Sequence, residues 1–337
     1  MSPASAAVRL TDFEPEVDDF AEDVRRGLAA TPKQLHPKYF YDAAGSKLFD
    51  RICATSEYYP TRTEIAIMER YAGEMAALAG PRVRLVEFGS GSSVKTRLLL
   101  AHLDQAVAYM PVDISRDHLM DVAEELAAAY PEVEVLPICA DFTTAFTLPA
   151  PKRHPARTLV YFPGSTIGNF EPAEALGLLR RIAKLAGDHG GVLIGADLQK
   201  DIGVLETAYN DADGITAAFN FNLLSRINEE LGGNFDPQLF RHHAFYNEEL
   251  NRIEMHLESL AEQTVTVAGQ SYDFAAGETI HTESSHKYTE PQFAQLAAAA
   301  GMPAARRRHF LERTRREAFD RLRALGEALW APLAVPA

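Results

Sequence analysis

The stretch RVRLVEFGSGSSVKTRLLL (82–100) leads from a short apolar run through a glycine turn into an amphipathic segment. It comes close to two phosphate-binding loops and completes neither. Against G-x-x-x-x-G-K-[ST], Gly89, Lys95 and Thr96 fit, but Val94 stands in place of the second glycine. Against G-x-G-x-x-G, Gly89 and Gly91 fit, and the same Val94 spoils the third position. The loop has the place of a nucleotide cradle without its phosphate chemistry.

Outward from this loop, short apolar runs alternate with helix-like stretches over residues 82–198. The runs are VRLVEF (83–88), AVAYMPVD (106–113), VEVLPI (133–138), RTLVYFP (157–163) and GGVLIGADL (190–198). Between them, SRDHLMDVAEELAAAY (115–130) opens with Ser115 at an N-cap position. Such alternation predicts βαβ units and a parallel, doubly wound α/β sheet. Ligands of these sheets bind outside the carboxyl ends of the strands. Residues 1–80 are largely helical in pattern, and from about 200 to 286 antiparallel hairpins are expected. There Ile253, Met255 and Leu257 share one face, and Arg252, Glu254, His256 and Glu258 the other. The expected organisation is a Rossmann-like core over 64–199 and 287–337, with an α+β lobe formed by 1–63 and 200–286.

Composition narrows the partners. With 337 residues, 47% of them hydrophobic and 24% charged, the chain reads as a soluble globular enzyme. A net charge of −14 repels phosphate backbones, which argues against nucleic acid and anionic membrane. Cys53 and Cys139 lie far apart, so no disulfide framework or zinc spacing arises. His242, His243, His281 and His286 form no ligand spacing either, and no metal is expected. The start, MSPASAAVRLTDFEPEV, lacks a basic n-region followed by an apolar core, and no apolar run approaches bilayer length. A cytoplasmic monomer acting on a small molecule is the expectation.

The strand ends suggest the ligand. Glu87 closes the strand before the loop, where a carboxylate disfavours phosphate and favours an amino group. Asp113 closes the next strand, 24 positions after Gly89, where an acid can hold ribose hydroxyls. The third is followed by CADF, placing Asp141 to read an adenine amine and Phe142 to stack. A glycine pair alone makes only a tight turn, and a lone aspartate is commonly a helix cap. In order at successive strand ends, these groups suit S-adenosylmethionine, which has a cationic amino-acid end, a ribose and an adenine but no phosphate. An NAD-dependent dehydrogenase would share Asp113, but Glu87 and Val94 speak against it.

On these residues the sequence resembles the histidine-specific N-alpha-methyltransferases of ergothioneine biosynthesis. The matching motifs are KYFYDAAGSKLFDRI (38–52), EYYPTRTE (57–64), EFGSGSSVKT (87–96), ADF (140–142), FPGSTIGNF (162–170), AYNDADGITAAFN (208–220), RIEMHL (252–257) and TESSHK (282–287). The resemblance implies a class I S-adenosylmethionine-dependent methyltransferase core with a substrate-binding lobe, and three successive methyl transfers to the α-amino group of histidine, giving hercynine. It implies cofactor contacts from Gly89, Lys95, Asp113, Asp141 and Phe142. Asn169 and Tyr209 are implied as a clamp on the substrate carboxylate, and Tyr58, Glu283 and Ser285 as the imidazole reader. Tyr41 and Gly164 are expected near the amine, Phe219 beside the cationic product, and Met255 as a wall of the pocket, although its periodicity alone marks it as core.

After EPQFAQLAAAAGM (290–302) the chain departs from the family's usual closing strand with a Trp-x-Asp-Pro motif. Eight arginines fall between 306 and 323, and Leu311, Ala318, Leu322, Leu325 and Leu329 recur at helical intervals, predicting an amphipathic helix. Two other functions compete: an N-methyltransferase of another small amino acid or amine, and a non-catalytic cofactor-binding homologue. Glu283 favours imidazole over the first, and intact Asn169, Tyr209 and Glu283 speak against the second.

Overall fold

The computed structural model describes residues 8–13, 20–91 and 93–302 and the backbone of 328–334. The chain forms two compact units: residues 1–15, 62–198 and 288–337 in one, 16–61 and 199–287 in the other.

The first unit is built on one sheet. Its strands run in the order β1 (Thr11–Asp12), β6 (Ile138–Cys139), β4 (Ala108–Asp113), β3 (Val83–Phe88), β7 (Arg157–Phe162), β8 (Gly191–Asp197) and β14 (Ala328–Ala334). All pair in parallel except β14, which runs antiparallel to β8. β5 (Glu134–Val135) pairs with the first half of β4, and Pro137, lacking an N–H, stands between β5 and β6. The order reverses at β3, so the crevice of a doubly wound sheet opens beyond the ends of β3 and β7.

Successive residues of these strands feed opposite faces, the period-two consequence of the pleat. Leu85, Tyr109, Leu159, Tyr161 and Leu193 pack with Met68, Tyr71 and Met75 of α3 (Tyr59–Ala79), Leu99 of α4 (Val94–Leu100) and Leu126 of α5 (Arg116–Ala129). Val86, Met110, Val112, Val160, Phe162 and Ile194 pack on the other face with Leu178, Leu179 and Ile182 of α6 (Pro172–Ala186) and Phe293 of α9 (Glu290–Ala299). Strands buried on both sides read as the near-continuous apolar runs seen in the sequence. Each fully buried Leu, Ile or Val contributes roughly 1.5–3 kcal/mol.

Three local details differ from expectation. Ser115 does stand at the N-cap of α5, but its side chain makes no capping bond; its N–H donates to Asp113 Oδ1 at 3.0 Å instead. Residues 8–13 belong with the sheet, because β1 pairs with β6. The helix expected to reach Leu329 does not: Ala328–Ala334 is a strand, and the rest of that helix lies outside the described residues. ALWAPLA is a short continuous apolar run, which suits a strand, and Pro332 is tolerated because β14 is at the sheet's edge.

The second unit combines helices α1 (Phe20–Ala29), α2 (Ala43–Ala54), α7 (Ile202–Thr207) and α8 (Ile215–Leu231) with a four-stranded sheet. That sheet runs β2 (Lys33–Gln34), β13 (Thr279–His286), β10 (Arg252–Ser259), β9 (Phe240–Asn247), with a separate hairpin of β11 (Gln263–Val267) and β12 (Gln270–Phe274). β10 is antiparallel to both neighbours, with Met255 opposite Glu283 and Ile253 opposite Ser285. Ile253, Met255 and Leu257 enter one apolar cluster with Leu223, Leu224 and Ile227 of α8, so the two-faced reading of this strand holds.

Gly190 offers a test of the first unit. A Cβ there would lie 2.1 Å from the Ala186 carbonyl oxygen and 2.7 Å from that of Thr158, both main-chain atoms. Gly190→Ala should destabilise this unit by about 1–3 kcal/mol, read as a lower midpoint of its thermal transition. An unchanged midpoint would show that the α6–β8 corner yields freely.

Candidate active site

The loop after β3 turns through left-handed backbone at Gly89 (φ 71°), Gly91 (φ 43°) and Ser93 (φ 55°). At both glycines a side chain would meet open space, so their conformation, not crowding, requires glycine. Asp113 at the end of β4 accepts from the Ser115 N–H and, more weakly, faces the N–H of Ser90; burial raises its pKa. The Ser90 Oγ is buried and makes no hydrogen bond among the described residues.

Glu87 is placed otherwise than expected. It is 1% exposed, with the Thr96 hydroxyl 2.6 and 2.7 Å from its two oxygens and the Tyr109 O–H donating to Oε2 at 2.5 Å. Burial pushes its pKa up to about 7, offset by the two hydroxyls and the Lys95 charge. Its carboxylate therefore ties β3 to β4 and α4 from beneath the loop instead of facing a ligand amine.

Above it, Lys95 forms an ion pair with Glu64 of α3, whose other oxygen accepts from the Gly164 N–H at 2.7 Å. Glu64 is buried, and a Cβ on Gly195 would fall 2.9 Å from its Oε1. The glycine of β8 thus leaves room for this carboxylate. Gly164 (φ 79°) begins the turn after β7, and Asn169 ends the 3-10 turn Thr166–Asn169 with its half-buried side chain making no hydrogen bond among the described residues. Asp141 Oδ1 accepts from the Thr143 N–H at 2.7 Å, and the Phe142 ring stacks on Phe88 at 5.4 Å.

The second unit gathers the remaining candidates. Tyr209 donates to Ser285 Oγ at 2.9 Å, and its ring meets Tyr58 edge-on at 6.1 Å. Glu283 is half-buried, and burial lifts its pKa to about 7 against the opposing charge of Lys287. Burial also raises the Tyr58 pKa, so that hydroxyl stays protonated. Phe219 stacks on Phe40 at 4.4 Å and meets Tyr41 edge-on at 5.8 Å; Tyr41 is 37% exposed. Met255 is buried in the apolar cluster, opposite Glu283. On the opposite face of β10, Glu254, His256 and His281 bring ligand-type atoms within 4.8 Å of one another. Arg252 and Asn247 bond one Glu254 oxygen and His256 Nε2 the other, while His256 Nδ1 is buried with no hydrogen-bond partner among the described residues.

A family model described as histidine-specific methyltransferase, SAM-dependent, matches residues 20–313. The chain belongs to that family. The histidine N-alpha-methyltransferase of Mycolicibacterium smegmatis is 43% identical over 286 residues, 83% of this chain and 88% of that protein. Its counterpart in Mycobacterium tuberculosis is 40% identical over 285 residues, with the same coverage. Ergothioneine biosynthesis protein 1 of Neurospora crassa is 30% identical over 289 residues, 80% of this chain and 31% of that protein.

As a histidine-specific methyltransferase, the chain has a class I fold and takes S-adenosylmethionine as cofactor. The groups around the crevice suit it: half-buried Asp113, Asp141, the Glu64–Lys95 pair and the Ser90 Oγ without a partner among the described residues, with no second cation beside Lys95 in the loop to meet a pyrophosphate. Sequence reasoning overlooked Glu64 and Lys287. Glu64 ends the motif EYYPTRTE, and Lys287 continues the alternation of Glu283 and Ser285; both signals were in motifs already singled out.

Two outcomes test this arrangement. Asp113→Ala should weaken S-adenosylhomocysteine by about 1–3 kcal/mol in calorimetry, the loss of a charge-assisted hydrogen bond; an unchanged affinity removes Asp113 from the site. Glu87 has a folded pKa near 7, above its ordinary 4.5, so its contribution to stability is full below that ordinary value and is lost as pH rises through about 7. Glu87→Gln should flatten the decline of the unfolding midpoint between about pH 5 and pH 8. An identical slope in both proteins would refute the buried-acid assignment.

Proposed function

We propose that this chain transfers three methyl groups in succession to the α-amino group of histidine, giving hercynine in ergothioneine biosynthesis. The observation that carries the choice of substrate is Glu283: a carboxylate on the apolar-cluster face of β13, opposite Met255 and two residues before Ser285. An acid so placed suits an imidazole N–H and is wasted against an aliphatic or phenyl side chain. A site that hydrogen-bonds such a group rejects analogues lacking it strongly.

Bound S-adenosylmethionine supplies an electrophilic methyl group on a sulfonium. Asp113 would hold its ribose, Asp141 and Phe142 its adenine, and Lys95, oriented by Glu64, its carboxylate, while Gly89 and Gly91 let the backbone turn close to it. For the substrate, Asn169 and Tyr209 are the proposed partners of the carboxylate, Tyr58, Glu283 and Ser285 of the imidazole, and Tyr41, Gly164 and Phe219 of the amine. The amine has an ordinary pKa of about 8 in peptides and must be neutral before each attack. Tyr58, with its pKa raised, serves as a donor and not as a base. Positioning of the neutral amine then supplies much of the acceleration. The negative net charge further favours small-molecule substrates over nucleic acid or anionic membrane, with a cytoplasmic monomer as the working state. No helix among the described residues is long and apolar enough to cross a membrane.

Incubation with S-adenosylmethionine and histidine should give mono-, di- and trimethylated histidine in sequence by mass spectrometry. Glu283→Ala should lower kcat/KM for histidine by about tenfold to a thousandfold, with cofactor affinity nearly unchanged. Full preference for histidine over phenylalanine and tryptophan in that variant would reduce Glu283 to a solvated acid.

A further inference from the structure

Lys287 follows β13 by one residue and is 2% exposed. With Glu283 and Ser285 it occupies alternate positions, so the three side chains share a face. Its Nζ donates to Ser285 Oγ at 2.8 Å and to the Tyr209 hydroxyl at 3.3 Å, and stands 5.2 Å from the centre of the Tyr209 ring. The Tyr209 O–H donates to the same Ser285 Oγ at 2.9 Å.

An ammonium only donates, whereas a hydroxyl has two lone pairs and one hydrogen. Lys287 and Tyr209 fill both lone pairs of Ser285, and what Ser285 has left to offer is its own O–H. Ionised Glu283, on the same face, can only accept. The face therefore presents one donor and one acceptor. A neutral imidazole has one bare nitrogen and one N–H, the complement of that pair.

We propose that Lys287 is a positioning residue that fixes the hydrogen-bond polarity of the imidazole reader, making Ser285 a donor beside the acceptor Glu283, so that the site takes one neutral tautomer of the histidine ring. This rests on the reading of Glu283 and Ser285 as the partners of the imidazole. Lys287 acts through charge as well. Among the described residues, the titratable groups facing Glu283 are Lys287, one residue past the end of its strand, and Tyr58 just before α3, with Tyr209 next to both; Met255, opposite on β10, carries no charge. Removing the ammonium leaves burial unopposed, and the carboxylate then ionises at higher pH.

The test is the pH profile of kcat/KM for histidine in the wild type, Lys287→Met and Lys287→Arg, with S-adenosylhomocysteine calorimetry as the check of folding. Lys287→Met should lose about tenfold to a hundredfold, chiefly through KM, and its acid limb should move up by about one pH unit. In a Ser285→Ala background the same substitution should cost much less, since neighbours in one network are non-additive. Lys287→Arg keeps the charge, so its limb should stay in place while KM rises several-fold, because a planar fork does not reproduce the ammonium's geometry. A Met variant with wild-type KM and limb overturns the proposal and leaves the histidine reading intact. If the Met variant does not fold, an Arg variant with unchanged KM overturns it equally. A wild type that methylates no histidine removes the reading on which the proposal stands.

Discussion

The crevice of the first unit depends on a carboxylate withdrawn from water. Burying an ionised acid without partners costs many kcal/mol, so Glu87 is stable only where hydroxyls reach it and its pKa can rise. Thr96 comes from the first turn of α4 and Tyr109 from β4, so one acid fixes the helix and the neighbouring strand relative to β3. Lys95, adjacent to Thr96, is thereby aimed at Glu64, and Glu64 passes the constraint to the Gly164 N–H. The two loops flanking the switch point are held by two polar clusters joined through the covalent Lys95–Thr96 link. Val94, the residue that breaks both phosphate motifs, is half exposed and takes no part in it.

The second unit solves a similar problem with the opposite sign. Lys287 is a buried cation met by two hydroxyls, and Glu283 is an acid whose ionisation that cation favours. In both units a charge is retained at a place where an apolar residue would pack more cheaply. Such groups are retained for what they orient. Tyr209 is shared between packing and polarity: its ring lies against Tyr58 and beneath Lys287, while its hydroxyl sits in the network.

The sheet was legible because strands buried on both faces are apolar almost throughout, and all five runs became its strands. Two short or edge elements were not legible. β1 is two residues long and carries no period, and β14 lies in a segment whose leucines also fit a helix. The site was legible as a set of residue types and less so as directions. The sequence places Glu87 at a strand's end but does not say which way its side chain turns; the hydroxyl partners that draw it inward lie nine and 22 positions away. Glu64 and Lys287 are hidden in the sequence for a related reason, since a charged residue at a motif's edge looks solvated until the fold buries it.

One irregularity explains why the face of β13 resisted pattern reading. Pairing runs Leu257 with Ile280 and Met255 with Glu283, so β13 spends one residue more than β10 between these points. The register shift falls between Met255 and His256, and Thr282, fully buried, donates its hydroxyl to the Met255 carbonyl there. A bulge of this kind inverts parity along the strand. Below it Ile280 faces the apolar cluster; above it Glu283 and Ser285 lie opposite Met255 and Ile253, on the face those residues share with Leu257. Without the extra residue, strict alternation from Ile280 would turn Thr282 and Ser284 toward the cluster and carry Glu283 to the side of His256 and Glu254. The polar reader is therefore produced by the bulge as much as by the residues it re-aims.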